Sequence, residues 1–166
     1  MSEVKKYLKR DWTVIPFLGL TFMGFAAAII DFIYLKNFSF QIFALVGLLL
    51  LLVGGLIRMK ARLQLKKKAG FDSLIGTGRL QIVKKHQLVK DGLYKHIRHP
   101  LYLGEILRNL GFVVIFSSVY GILIVLLASI FLFFRIEIEE KMLMTVFSEE
   151  YREYKRNTKR LIPYIY

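Results

Sequence analysis

Arg135 and Glu139 stand four residues apart where a long apolar run ends, so a helix carries both on one face. Left in solvent, such a pair contributes only roughly 0.2–0.5 kcal/mol. Turned into a cavity, it has two separable uses: Glu139 can accept from an amine or a ribose hydroxyl, and Arg135 can hold an anionic group. Glu105 and Arg108 form a second pair, three apart in an apolar stretch where ionisable side chains are costly and mark function by default; mutual neutralisation is the competing reading. His96 and His99 make an H-x-x-H pair with no acid or third ligand nearby in sequence, so no metal is expected. His99-Pro100 is more informative. Proline suits the first turn of a helix, whose free amides offer partial positive charge to an anion or a carboxylate. Arg98 adds a full charge there, and Tyr94 and Tyr102 add aromatic faces and hydroxyls. A basic, aromatic interfacial belt accounts for Arg98 and the tyrosines but not for Gly92, His99 and Pro100 in company.

The elements that must position these residues are apolar. Hydrophobic residues make up 55% of the 166 and charged ones 22%, with a mean hydropathy of +0.48. The apolar residues lie in blocks rather than in amphipathic stripes, which makes lipid the solvent. The chain has no cysteine, which excludes disulfides, thiolate metal sites, thiol nucleophiles and lipidation of the chain's own cysteines. Lys5, Lys6, Lys9 and Arg10 precede the first apolar run as a signal-peptide n-region would, but Thr13 to Ile30 is too long for the apolar part of such a peptide, and a retained span is expected.

Four spans are expected, at about residues 13–34, 38–57, 100–116 and 120–134. Trp12 and Tyr34 suit interfacial anchoring of the first. Gly47, Gly54 and Gly55 in the second either allow close helix contact or are ordinary membrane glycines. Arg58 to Arg98 reads as a basic surface loop, broken by Gly70, Gly76, Gly78 and Gly92. Beyond Pro100 the chain is either one span from Leu110 to Phe134 or a hairpin broken near Ser117 to Gly121. Charge decides for the hairpin. Lys and Arg number four at the N-terminus, one between the first two spans, twelve from Arg58 to Arg98 and seven after Phe134. Basic segments stay cytoplasmic, and only the hairpin puts all three cation-rich segments, with both termini, on that side. The formal charge of +13 borders apolar runs rather than a polar surface, which points to anionic lipid headgroups and away from nucleic acid. The tail from Arg135 to Arg156 is expected to form two amphipathic surface helices, the second capped by Ser148 ahead of Glu149 and Glu150. The fold class is thus all-α: one polytopic membrane domain with amphipathic C-terminal helices.

His86-Gln87-Leu88-Val89-Lys90-Asp91-Gly92-Leu93-Tyr94, then Arg98-His99-Pro100-Leu101-Tyr102-Leu103-Gly104, match H-x-L-V-x-x-G-x-Y and R-H-P-x-Y-x-G in order and spacing. Arg135, Glu139 and Glu140 repeat R-x-x-x-E-E, followed by Phe147, Glu149, Glu150, Tyr151, Tyr154, Arg160 and Pro163. From His86 to Pro163 the chain therefore resembles the isoprenylcysteine carboxyl methyltransferase family and its prokaryotic relatives, which in turn resemble phospholipid N-methyltransferases. The resemblance implies a helical membrane enzyme that holds S-adenosyl-L-methionine on the cytosolic side. Residues matching its cofactor contacts are His86, Gln87, Leu88, Val89, Tyr94, His99, Pro100, Leu101, Tyr102 and Glu139. Arg135 matches a substrate-side arginine, and the catalytic set expected is Arg135, Glu105 and Arg98. The basic loop before His86, near Lys84, diverges from the family.

Methyl transfer from a sulfonium is an in-line displacement that needs orientation and a desolvated nucleophile more than acid or base help. A carboxylate acceptor is already ionised, whereas an amine acceptor must lose a proton, making Glu105 or Glu139 a candidate base. The expected acceptor is lipophilic or prenylated and enters from the bilayer: an isoprenylcysteine-like carboxylate first, a lipid amine as the alternative. A sterol-type reductase using NADPH carries more spans than 166 residues allow, and a non-catalytic scaffold sits poorly with an intact set of site residues.

Overall fold

A computed structural model of the protein describes residues 12–35, 42–69 and 88–162. Helix α1 (Val14–Ile30) continues into a π-helical turn (Asp31–Leu35). Helix α2 (Ile42–Ala69) follows, then a 3-10 turn (Gly92–Lys95), α3 (Pro100–Ile115) and α4 (Val119–Asn157). The described residues contain no strand, only an isolated bridge between Ile97 and Lys159. Three of the helices, α1, α2 and α4, are long and apolar enough to cross a membrane. Their outward side chains, among them Ile15, Phe22, Leu45, Leu49 and Leu123, are exposed and apolar, as lipid contact requires.

Two boundaries differ from the sequence expectation for one reason. The second helix does not stop at Ile57 but runs on to Ala69, and the last does not stop at Phe134 but continues into the charged tail as far as a break at Ser148. Both extensions are rich in Lys, Arg, Glu, Met and Leu, good helix formers with no Gly or Pro among them, so helices carry on after their apolar part ends. The break that the hairpin reading of residues 100–134 requires is present, between α3 and α4. Ser117 takes φ 52, and the Ser118 hydroxyl oxygen caps α4 by accepting from the Gly121 N–H at 2.9 Å. That hydroxyl also donates to the carboxylate of Asp31, tying the end of α1 to the turn. The third helix, with 16 residues, is about 24 Å long against a hydrocarbon core of about 30 Å.

Helices α2 and α3 meet backbone to backbone. A Cβ on Gly47 would lie 2.8 Å from the Gly111 carbonyl oxygen, and one on Gly54 would lie 2.7 Å from that of Gly104. The two glycines on each helix are two turns apart and the order is reversed, so the helices run antiparallel along a small-residue seam. Gly55 faces open space and has no part in it. Helix α1 packs on α4, with Gly24 against Val125 and Gly121, and α3 reaches α4 through a core of Phe17, Tyr102, Ala128, Leu132, Ile136 and Leu161.

Beyond its apolar stretch α4 breaks at Ser148 (φ 43, ψ −113), where the sequence predicts a fresh cap. The segment that follows turns back onto the 3-10 turn, and the Tyr154 hydroxyl donates to the Tyr94 carbonyl at 2.6 Å. Backbone pairing then sews the tail to the entrance of α3: Arg98 N–H to the Lys159 carbonyl at 2.8 Å and His99 N–H to that of Arg160 at 3.1 Å.

Candidate active site

Tyr102, on the first turn of α3, projects against α4 and links the two residues singled out by their four-residue spacing. Its hydroxyl donates to Glu139 Oε2 at 2.7 Å and accepts from Arg135 Nε at 3.0 Å. Arg135 is 1% exposed, and its guanidinium carbon lies 6.0 Å from the Tyr102 ring centroid. Glu139 is the open member, with 27% of its side chain exposed. His99, the residue capping α3 ahead of Pro100, sits beside them with its ring 5.7 Å from that of Tyr102 and Nδ1 3.8 Å from Glu139 Oε2.

Its other ring nitrogen meets a different acid. His99 Nε2 lies 3.4 Å from Glu140 Oε1, which also accepts from Arg98 Nε at 2.8 Å. Arg160 reaches Glu140 Oε2 at 3.1 Å and Lys155 at 3.3 Å. Burial opposes the charge on Glu140, which lies past the apolar part of α4. Hydrogen bonds from His99, Arg98 and Arg160 outweigh that penalty and hold its carboxyl well below the ordinary carboxylate value. Arg98 also donates to the carbonyls of Lys155, at 3.2 Å, and of Thr158, closing the end of α4.

Tyr94 completes this end of the molecule. Gly92 opens its turn at φ +59, and Gln64 of α2 packs so tightly against Gly92 that a Cβ there would collide with its side-chain amide. Gln64 Oε1 accepts from Leu93 N–H at 3.2 Å, so the unexpected extension of α2 holds the turn in place. Val89 and Tyr94 are buried with Ala61 of α2, and Leu101 packs on them; Leu88 is half-buried and Pro100 fully buried. The Tyr94 hydroxyl is buried without a hydrogen bond among the described residues. Burial, then the charge of Glu139, then Tyr154 push its pKa up, so it is a neutral donor at physiological pH. His86 and Gln87, with Lys84 and Pro163, lie outside the described residues.

The sequence-predicted residues thus fall into three places. Arg135, Tyr102, Glu139 and His99 come together. Among the described residues, Arg98 is joined to them through Glu140 and His99. Glu105 is elsewhere: buried at the α2–α3 seam, it is ion-paired with Arg58 and with Arg108 at 2.6 Å and lies near Asn109 Nδ2 at 3.4 Å. Neither Arg98 nor Glu105 bonds to Arg135, Tyr102 or Glu139. Sequence reasoning quoted Glu140 in its motif without giving it a partner, and missed Arg58. A buried acid in an apolar helix needs a cation, and an arginine closing the preceding apolar run was the signal for it.

The sequence profile of the isoprenylcysteine carboxyl methyltransferase (ICMT) family matches residues 47–145, more than half of the chain, and the protein belongs to that family. It is 31% identical over 134 residues to the protein-S-isoprenylcysteine O-methyltransferase of Schizosaccharomyces pombe, covering 80% of this chain and 54% of that one. It is 38% identical over 72 residues to methanethiol S-methyltransferase 1 of Bradyrhizobium diazoefficiens, covering 43% of this chain and 25% of that one. Its fold is similar to the solved structure of a eukaryotic intramembrane Ras methyltransferase, ICMT, with a TM-score of 0.69 at 25% identity, over 92% of this chain and 52% of that one. The chain thus spans about half the length of these isoprenylcysteine relatives. It is an integral membrane protein of helical architecture.

Proposed function

We propose that this protein is a methyltransferase that uses S-adenosyl-L-methionine to methylate a lipophilic acceptor drawn from the bilayer, most closely an isoprenylcysteine-like carboxylate. The observation that carries the reading is the buried Arg135–Tyr102–Glu139 chain, which holds a cation and a partly open carboxylate on opposite sides of one hydroxyl. The residues present fit the cofactor: an accessible carboxylate and aromatic faces suit a sulfonium and an amine, and the unbonded Tyr94 hydroxyl offers a donor. When bound, S-adenosyl-L-methionine supplies an electrophilic methyl group. Glu139 and Tyr94, with His99, Pro100, Leu101 and the stretch from His86 to Val89, are the residues we assign to holding it.

Arg135 then positions the acceptor. A carboxylate is ionised at neutral pH, so the arginine need only orient it and share its charge in a site that the α3–α4 core keeps dry, and no base is required. Glu105, with Arg58, is assigned to shaping the seam at which an acceptor tail enters, and Arg98 to fixing Glu140 and hence His99. We place the site on the cytosolic face of a four-span arrangement in which α3 is the short span, sheltered by α2. A second reading, methylation of a small thiol, is favoured by the likeness to a bacterial methanethiol S-methyltransferase; a lipid amine is the third. Membranes containing the protein, incubated with methyl-labelled S-adenosyl-L-methionine, distinguish them. A base-labile methyl ester in the lipid-soluble fraction is the expected product. A stable thioether or N-methyl product would replace the acceptor assignment, and no labelled product above control membranes would overturn the reading.

A further inference from the structure

At the end of α4, where Arg98 holds the carbonyls of Lys155 and Thr158, lies a cavity of about 290 Å³ lined by Lys95, His96, Lys155, Arg156, Asn157, Thr158 and Lys159. No carboxylate is among those residues. Lys155 shares Glu140, but Lys95, Arg156 and Lys159 have no anionic partner among the described residues. A helix end explains little of this. The C-terminus of α4 presents about half a negative charge, and three uncompensated cations exceed it several-fold. The cavity is also framed rather than frayed. Lys159 N–H donates to the His96 carbonyl at 3.2 Å, and Arg98 donates to the carbonyls of Lys155 and Thr158, so both walls are held on hydrogen-bonded backbone. Like charges gathered on a fixed frame repel one another unless an anion joins them.

Leu161, two residues beyond Lys159, is buried in the same core as Phe17 and Leu132 of the spanning helices, so the lining residue Lys159 is close in the chain to the apolar core. Cations bordering an apolar segment favour the phosphates of anionic headgroups. We propose that this cavity binds the phosphate group of an anionic phospholipid, with Lys95, Arg156 and Lys159 as its cationic contacts. A bound phosphate would brace the tail segment that carries Lys159 and Arg160 against the start of α3, and through Arg160 would steady Glu140.

The test uses the full chain in detergent micelles doped with equal amounts of phosphatidylglycerol and phosphatidylcholine, with native mass spectrometry reading which lipid is retained. Wild type should keep phosphatidylglycerol preferentially. The double variant Lys95→Gln/Lys159→Gln should lose roughly tenfold of that preference. A control with the same charge loss on exposed α2 residues, Lys60→Gln/Lys67→Gln, should keep it. Millimolar inorganic phosphate separates the sources of the ligand. If phosphate stabilises wild type against heat but not the cavity variant, while no lipid preference is seen, the site takes a soluble phosphate. Equal loss in both double variants, retention by the cavity variant, or neither lipid preference nor phosphate effect in wild type would each overturn the proposal. Both variants leave the assigned cofactor and acceptor residues untouched, so the result is independent of methyl transfer.

Discussion

Glu139 and Glu140 are chain neighbours, yet about 100° of helical turn separates them and gives them different work. Glu139 faces Tyr102 and is partly open; Glu140 is buried among Arg98, His99, Arg160 and Lys155. Removing the second charge strands cations that burial makes costly. Glu140→Gln should therefore lower unfolding stability in detergent by about 3–5 kcal/mol, measured by denaturant titration. The pH dependence has a definite sign. A carboxyl whose pKa is depressed on folding contributes fully above its unfolded value, near 4.5, and loses that contribution as pH falls toward its folded value. Wild type should lose stability on acidification below that point, and Glu140→Gln should show a shallower acid dependence; matching curves would deny Glu140 this part. The R-x-x-x-E-E spacing made Arg135 and Glu139 legible as a pair. It could not show that Tyr102, thirty-three residues away, stands between them, because that contact depends on how α3 meets α4.

At the level of elements, the α2–α3 seam sets where Tyr102 and Glu105 stand. Gly47, Gly54, Gly104 and Gly111 let the backbones approach there, so Gly54→Ala should force them apart and cost about 1–3 kcal/mol, while Gly55→Ala, which meets nothing, should be neutral or slightly stabilising. Thermal unfolding of the two variants checks this; equal shifts would mean that the seam is not the contact it looks to be. Gly47 and Gly54 were readable as candidates from their place in an apolar helix. Their partners Gly104 and Gly111 were not, since antiparallel register is a tertiary fact. Element ends were the weakest part of the sequence reading, because hydropathy marks where lipid stops and not where helix stops. The α2 extension past Ile57 is where that mattered, as Gln64 on it fixes the Gly92 turn and with it Tyr94.

For the whole molecule, three long apolar helices and one short one leave the threading through the bilayer as a proposal with a direct check. The chain has no cysteine, so single replacements report cleanly. Tyr120→Cys, at an exposed position in the first turn of α4, should be protected from a membrane-impermeant thiol reagent added on the cytosolic side, and Asn157→Cys should react. Labelling of both from that side would refute four spans. Composition and cation count made the membrane class legible, and motif order made the family legible. The division of labour between Arg98 and Arg135 was not, because both are arginines beside helix ends until the fold buries one with Glu140 and the other with Tyr102. Glu139 and its neighbours are assigned to holding the adenosyl and amino-acid parts of the cofactor, which its demethylated product shares. Calorimetric titration of the solubilised protein with S-adenosylhomocysteine tests it most directly: wild type should bind, and Glu139→Ala should bind at least roughly tenfold more weakly, the loss of about 1.4 kcal/mol expected for a charge-assisted hydrogen bond. No binding by wild type, or equal affinity in the two proteins, would contradict it.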